Sequence, residues 1–133
     1  MHPTITLIIL GIIIKEIMQT KIQKWIEDAL EYAHGTHDLL DVLDGIKNGQ
    51  YQLWEGEKGC IVTEVLQYPK KKVFHVFLGG GDMDQLTDMH SSVIAFAKQL
   101  GCKELTMSGR VGWSRALKKH GWEHAHTTLY KEI

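Results

Sequence analysis

Glu64 and His75 are the residues of this 133-residue chain whose types and spacing best suit acid–base chemistry. They lie in successive segments, 60–68 and 73–78, that predict two strands of a hairpin with its turn at Pro69-Lys70. A two-residue turn pairs position 64 with position 75 directly, and a four-residue turn keeps both side chains on one face, whereas a three-residue turn separates them. A Glu–His contact there could deprotonate an amine, since a base with a pKa of about 7 suits that step. The alternative is a structural Glu–His pair that holds the sheet.

A glycine segment, Gly79-Gly80-Gly81, follows the second strand and is predicted to form a turn into a helix. Such a turn can hold a phosphate, because glycines allow close backbone approach and the helix N-terminus attracts anions. Asp82 and Asp84 oppose this, since a carboxylate beside a phosphate costs on the order of 1 kcal/mol at a surface-like dielectric. Asp82 is also a typical helix N-cap. Two hypotheses follow: a phosphate site, or a structural turn capped by Asp82.

Arg110 is expected at the C-terminal end of a strand over 104–107, the edge at which open α/β sheets bind ligands. Its guanidinium group could hold a carboxylate or phosphate. It could equally pair with a nearby carboxylate, Asp82, Asp84 or Glu64, and lock the glycine segment. Both alternatives stay open.

His124 and His126 alternate along a predicted edge strand over 124–130, so both side chains face one side. Two histidines at this spacing can bind zinc or nickel, but a structural site needs about four ligands. The sequence offers no further ligand, and we expect a solvated edge and no metal.

The composition indicates one globular domain, with 44% hydrophobic and 23% charged residues. A net charge of -1 gives no long-range attraction to nucleic acid or to an anionic membrane. The two cysteines, Cys60 and Cys102, form no CxxC motif, so we expect reduced, buried thiols in a cytoplasmic setting.

An apolar run from Ile5 to Ile14 is too short to span a membrane, which takes about 20 residues. It also lacks the flanking features of a secretory signal. It can be a buried strand, a hydrophobic arm that docks on a partner, or residues upstream of a true start at Met18, and we favour the last. The chain is therefore divided into 1–17, an arm or mis-assigned start, and a single domain over 18–133.

Periodicity and turn signals predict the remaining elements. A helix follows the N-cap Thr20, and the strand over 104–107 is expected to run parallel to 73–78, because a helical crossover joins them. The predicted ranges are helices over 20–33, 38–47 and 82–100, antiparallel strands over 51–55, 60–68 and 73–78, and a last short helix that stops at Gly121-Trp122.

This element order resembles the GNAT superfamily of N-acyltransferases. The sharpest local match lies at residues 105–107, 109–113 and 117–122, which resemble the family's "strand, Asn-x-x-Ala, helix, Gly-Phe" segment. The resemblance implies an α/β (α+β) fold with a mixed, mostly antiparallel sheet flanked by helices. It also implies Glu64 or His75 as general base, and an acetyl-CoA groove. The groove residues would be Leu78, Gly79, Gly80, Gly81, Arg110 and Trp113.

Two departures from the family pattern oppose acetyl-CoA binding. The glycine segment lacks the Arg or Gln that family members carry before the glycines. Leu117 stands where many members have a Tyr that protonates the leaving thiolate, and leucine cannot transfer a proton.

A closer resemblance is to small phage and prophage GNAT-like proteins of the internal-virion type. It implies a catalytically degenerate domain that acts as a virion-associated or assembly protein, in the host cytoplasm or the virion. Other phage structural proteins would be its partners. The alternative is an acetyl-CoA-dependent N-acetyltransferase acting on a small amine or a protein amine. Free N–H groups at the glycine segment would favour the enzyme. A cap by Asp82 would favour the catalytically degenerate domain, which is the scaffold hypothesis. The shared stretches are Leu53-Trp54-Glu55-Gly56, Val62-Thr63-Glu64-Val65, Tyr68-Pro69-Lys70, Leu78-Gly79-Gly80 and Gly109-Arg110-x-Gly112-Trp113.

Overall fold

The computed structural model describes residues 21–133, apart from the side chain of Val111. Thr20 and the segment 1–17 lie outside the described residues. The elements, in chain order, are α1 (Lys21–Leu30), α2 (Leu39–Lys47), β1 (Tyr51–Glu55), β2 (Gly59–Gln67), β3 (Lys72–Gly81), α3 (Met83–Asp88), α4 (His90–Gln99), β4 (Glu104–Met107) and α5 (Val111–Leu117), with a 3-10 turn at Lys118–His120.

The sheet is four-stranded, in the order β1-β2-β3-β4. β1, β2 and β3 pair antiparallel, and β4 runs parallel to β3 across the helical crossover. Helices α1 and α2 pack on one face around Val42, Ile46 and Leu53. Helices α3 and α4 pack on the other face around Trp54 and Phe74. The predicted mixed, mostly antiparallel sheet flanked by helices is therefore confirmed.

The hairpin between β2 and β3 has the two-residue turn that places the candidate base. The backbone N–H of Tyr68 donates to the carbonyl of Lys71 at 2.9 Å, which closes the turn around Pro69 and Lys70. Proline fits there because the turn position needs no donor. The register that follows sets Glu64 directly opposite His75, as one of the predicted turn lengths requires.

The glycine segment is not a turn, because β3 continues through Gly79, Gly80 and Gly81. A Cβ atom on Gly80 would lie 2.6 Å from the carbonyl oxygen of Trp25, so only glycine lets α1 approach β3 this closely. Gly81 has a φ of 95° and faces the backbone of Lys58, which excludes a side chain. Two of the three glycines are therefore explained by packing against α1 and β2.

The predicted helix over 82–100 is divided into α3 and α4 at Met89. The Thr87 hydroxyl donates to the carbonyl of Asp84 at 2.9 Å. Side-chain bonds of this kind compete with regular helical bonding. The Met89 side chain at the break is buried, so the core fixes the chain where α4 begins.

The predicted edge strand over 124–130 does not form, since residues 121–133 adopt no regular structure. All side chains from Glu123 onward are exposed, so no apolar face anchors this segment to β4. His124 contacts Thr127 at 3.1 Å, and the Tyr130 ring lies 4.3 Å from that of His34 beyond the end of α1. The segment thus lies near the end of α1 and does not extend the sheet.

Cys60 and Cys102 are free thiols, the first buried and the second partly buried. Burial raises the pKa of Cys60 to about 12, so this thiol stays protonated. None of the helices described over 21–133 is long and apolar enough to cross a membrane.

Candidate active site

A cavity opens where β3 and β4 separate. The two strands pair from Val73 and Glu104 as far as Val76 and Met107. Beyond that point β3 continues along β2, whereas the chain after β4 turns away into α5. The gap forms a cavity of about 470 Å³, within the size range of small-molecule sites. Its walls come from the end of α1, from β3, α3 and α4, and from the segment that joins β4 to α5.

A β-bulge shapes the strand that forms the cavity floor. Val62 pairs with Leu78 and Thr63 with Val76, so Phe77 has no partner on β2. Bulges re-aim side chains and are common beside active sites. The Phe77 ring packs edge-on against His37, at 4.7 Å between ring centroids, and the residue borders the cavity.

His75 is the polar centre of the cavity wall. Its Nδ1 lies 2.7 Å from Thr106 Oγ1, and its Nε2 lies 3.2 Å from Ser108 Oγ. Burial lowers the pKa of His75, so the imidazole is neutral at pH 7 and can accept a proton. The parallel pairing of β3 with β4, which sets His75 opposite Thr106, makes this arrangement possible.

Glu64 lies opposite His75 in register, but no hydrogen bond or ion pair joins their side chains in the described part of the chain. The predicted pairing of positions 64 and 75 is thus confirmed, whereas within the described residues the two imidazole nitrogens of His75 engage hydroxyl groups on the β4 side and not Glu64. Burial raises the pKa of Glu64, and the nearby His37 partly offsets this. The His37 ring in turn lies 3.3 Å from the Tyr51 hydroxyl. Glu64 thus belongs to a neighbouring polar group and does not line the cavity.

The N-terminus of α3 is capped by its own side chain. The Asp82 carboxylate accepts the backbone N–H of Asp84 at 2.9 Å, and the Asp82 N–H donates to the Lys58 carbonyl at 2.8 Å. Leu78 and Gly79 line the cavity, whereas Gly80 and Gly81 do not. The capped Asp84 N–H matches the condition that favours the scaffold hypothesis.

Arg110 lies at the cavity rim, where its guanidinium carbon stands 4.4 Å above the ring centroid of Tyr32. Of the two alternatives for Arg110, the ion pair with Asp82, Asp84 or Glu64 does not form within residues 21–133, and the guanidinium group makes this cation–π contact. Arg110 is exposed, so its charge faces the solvent at the rim.

Trp113 and Leu117 line the cavity from α5. Trp113 approaches the strand at Gly79, where a Cβ atom added to the glycine would lie 3.7 Å from the indole ring. Leu117 is buried and apolar, so α5 presents no proton donor at that position.

Sequence reasoning missed Ser108, Thr106 and His90. Ser108 and Thr106 become visible only once the parallel register of β4 is known. His90 also lines the cavity, with its ring 5.8 Å from that of Trp122, and burial and then the charge of His120 lower its pKa. No three His, Cys, Asp or Glu side chains of the described ranges are grouped as metal ligands.

No protein-family model and no curated protein sequence matches the chain. Among solved structures, the chain is similar to an aminoglycoside acetyltransferase from an uncultured soil metagenomic sample, solved with sisomicin. Identity is 14%, the TM-score is 0.62, and the match covers 90% of each chain. A Trypanosoma brucei acetyltransferase matches with 9% identity and a TM-score of 0.53, over 73% of this chain and 81% of that one. Thermus thermophilus TTHA1254 matches with 17% identity and a TM-score of 0.53, over 74% and 83%.

Structural similarity at such low sequence identity shows the fold and nothing finer. The four-stranded sheet with its separated parallel pair, flanked by helices on both faces, is the GNAT fold that acetyltransferases share.

Proposed function

We propose that this chain is an acyltransferase that takes an acyl group from a thioester and transfers it to an amine. The observation that carries the proposal is His75, a neutral imidazole on the wall of a 470 Å³ cavity between the separated strands. His75 is the general base in this proposal. Glu64 lies outside the cavity wall and has no catalytic role in this proposal.

Acyl-CoA, and acetyl-CoA in particular, is the class of thioester donor that the fold favours. The cavity offers a surface that fits the pantetheine arm of this donor. Leu78, Gly79 and Trp113 offer apolar and backbone contacts along the cavity. Arg110 at the rim supplies a cation for an anionic group of the donor. The α3 N-terminus suits a diphosphate poorly, because the Asp82 carboxylate already accepts the N–H of Asp84 and both aspartates add negative charge. The donor is therefore held by its arm and only weakly by its diphosphate.

Proton return to the leaving thiolate also falls to His75. Leu117 has no transferable proton, and His75 carries the proton that it has removed from the acceptor. One residue on the cavity wall then serves both steps.

A catalytically degenerate scaffold is the second candidate, and the Asp82 cap is the observation that favours it. In this version the cavity or the N-terminal arm binds another protein, with phage structural proteins as the partners. It accounts for Leu117 and for the acidic residues at the start of α3 without any chemistry.

Calorimetric titration of acetyl-CoA separates the two candidates. We expect the native chain to bind weakly and an Asp82→Ala/Asp84→Ala variant to bind about tenfold tighter, since about 1.4 kcal/mol of relieved repulsion gives that ratio. Gly79→Leu should abolish binding, because Gly79 lines the cavity and a Cβ there already lies 3.6 Å from Ile61 and Leu86, so the larger side chain would take up space that the donor needs.

Gly112→Ala is the matched control, since nothing lies within 4 Å of a Cβ at that glycine. Its affinity should equal that of the native chain. Absence of acetyl-CoA binding in both the native chain and the Asp82→Ala/Asp84→Ala variant would overturn the acyltransferase proposal and leave the scaffold.

A further inference from the structure

Three side chains at the point where β3 and β4 separate form a connected polar group: Thr106, His75 and Ser108. Thr106 Oγ1 lies 2.7 Å from His75 Nδ1, and Ser108 Oγ lies 3.2 Å from His75 Nε2. We propose that Ser108 is a nucleophile that accepts an acyl group from an activated ester or thioester and holds it as an acyl-serine. Thr106 is a positioning residue for His75.

The hydrogen bonds give His75 the orientation that a serine nucleophile needs. With its proton on Nδ1, the imidazole donates to Thr106 and leaves the Nε2 lone pair facing the Ser108 hydroxyl. The serine hydroxyl then donates to Nε2, which is the arrangement in which a base activates a hydroxyl group. Burial keeps His75 neutral and therefore able to accept this proton.

Ser108 also has the access that a nucleophile needs. It is the first residue after β4, it lines the cavity, and it is exposed. Its backbone N–H is held by the Val76 carbonyl at 3.3 Å, so the strand end fixes the hydroxyl beside the cavity.

The step balances without a further reagent. The Ser108 oxygen attacks the carbonyl carbon of the donor while its proton passes to His75 Nε2. A new ester bond forms at Ser108, the donor's ester or thioester bond breaks, and the departing alcohol or thiol takes the proton from His75. Water or an amine then attacks the acyl-serine and gives its proton to His75, which passes it to the departing Ser108 oxygen.

This inference rests on the proposed function and uses the same cavity. It deepens that function, because it adds a covalent acyl-serine intermediate that forms before the acceptor reacts. Its test uses an activated ester that has no nucleotide, so a weak diphosphate site does not affect the result. Failure to bind acetyl-CoA and failure to form an acyl-serine are therefore distinguishable.

The probe is p-nitrophenyl acetate, followed by p-nitrophenolate release and by intact-mass and peptide mass spectrometry. The native chain should release a burst of p-nitrophenolate stoichiometric with the protein and should carry one acetyl group on the peptide containing Ser108. Ser108→Ala should lose both signals, whereas Ser91→Ala, which removes an exposed hydroxyl on α4 away from the cavity, should keep both.

Two further variants separate chemistry from folding. His75→Gln should slow the burst by about 10²-fold or more, since it removes the base. Thr106→Val should slow it less and shift its pH midpoint, and Thr106→Ser should restore the native profile. Circular dichroism of each variant identifies any loss of fold. Ser108→Cys keeps a nucleophile at this position and should therefore retain the burst.

A native burst with the acetyl group on Ser108 supports the inference even if acetyl-CoA does not bind. An acetyl group found only on lysines would overturn it. A folded Ser108→Ala variant that transfers acetyl from acetyl-CoA to an amine at the native rate would also overturn it, and would leave the proposed function standing.

Discussion

His75 owes its properties to its position in the fold more than to its nearest charged neighbour. Glu64 faces it across the β2–β3 ladder, yet both imidazole nitrogens engage the hydroxyl groups of Thr106 and Ser108. Burial, not a partner carboxylate, sets the direction in which its pKa moves. His75 is therefore a neutral base at physiological pH, without an ion pair to hold it charged.

The pH dependence of the acyl-transfer step should follow this lowered pKa. His75 must be neutral to accept a proton, so the p-nitrophenyl acetate burst rate should rise with pH through a midpoint below 6.5 and then level off. The pH profile of the burst rate measures this midpoint. A midpoint above 6.5 would mean that Glu64 or another carboxylate stabilises the charged imidazole.

The free energy of unfolding should also depend on pH through lowered histidine pKa values. The pKa of folded His75 and of folded His90 lies below the ordinary value of 6.5, so the unfolded chain binds more protons as pH falls below that value. The free energy of unfolding should therefore fall as pH drops below about 6.5, by an amount that a His75→Gln/His90→Gln variant largely removes. Urea unfolding at several pH values measures it, and an equal pH slope in native and variant chains would contradict the assignment.

At the scale of elements, β3 carries both the fold and the site. Its first half pairs with β2 and β4, the bulge at Phe77 re-aims the strand, and its glycine end packs under α1. Gly80 is needed where α1 crosses, whereas Gly79 faces the cavity and has room for a methyl group. The two neighbouring glycines thus lie in different surroundings, Gly80 in the contact with α1 and Gly79 in the wall of the cavity.

The neighbouring pair Gly79 and Gly80 offers a matched test of this distinction. Gly80→Ala should destabilise the chain by about 1–3 kcal/mol, because its Cβ would contact the Trp25 backbone. Gly79→Ala should change the free energy of unfolding by far less, since its Cβ would meet only ordinary contacts. Equal losses in urea unfolding would contradict the described packing of α1 on β3.

Several features of the fold follow from sequence patterns, and others depend on pairing that patterns do not reveal. The proline turn predicts the β2–β3 hairpin, and the shortest of the turn lengths that it allows places Glu64 opposite His75. Glycines weaken strand propensity, so the continuation of β3 through Gly81 is visible only when its pairing with β2 is known. His75 could be identified from sequence, but Thr106 and Ser108 could not, because the helical crossover does not determine a parallel register.

At the scale of the whole molecule, the cavity is a product of topology. It exists because β3 and β4 part where one strand continues and the other leaves for α5. Its walls bring together residues far apart in sequence, from Tyr32 on the α1 side to Thr128 in the C-terminal segment. The cavity, and not the capped helix N-terminus, is the part of this GNAT fold suited to hold a ligand.

The most direct test of the central claim is the release of thiol from acetyl-CoA and from acetyl-pantetheine, with hydroxylamine as a small amine acceptor. The native chain should release thiol from both donors faster than buffer, and His75→Gln should lower that rate by about 10²-fold or more while keeping its fold. Equal rates for the native chain and His75→Gln would contradict the claim that His75 performs acyl transfer in this cavity.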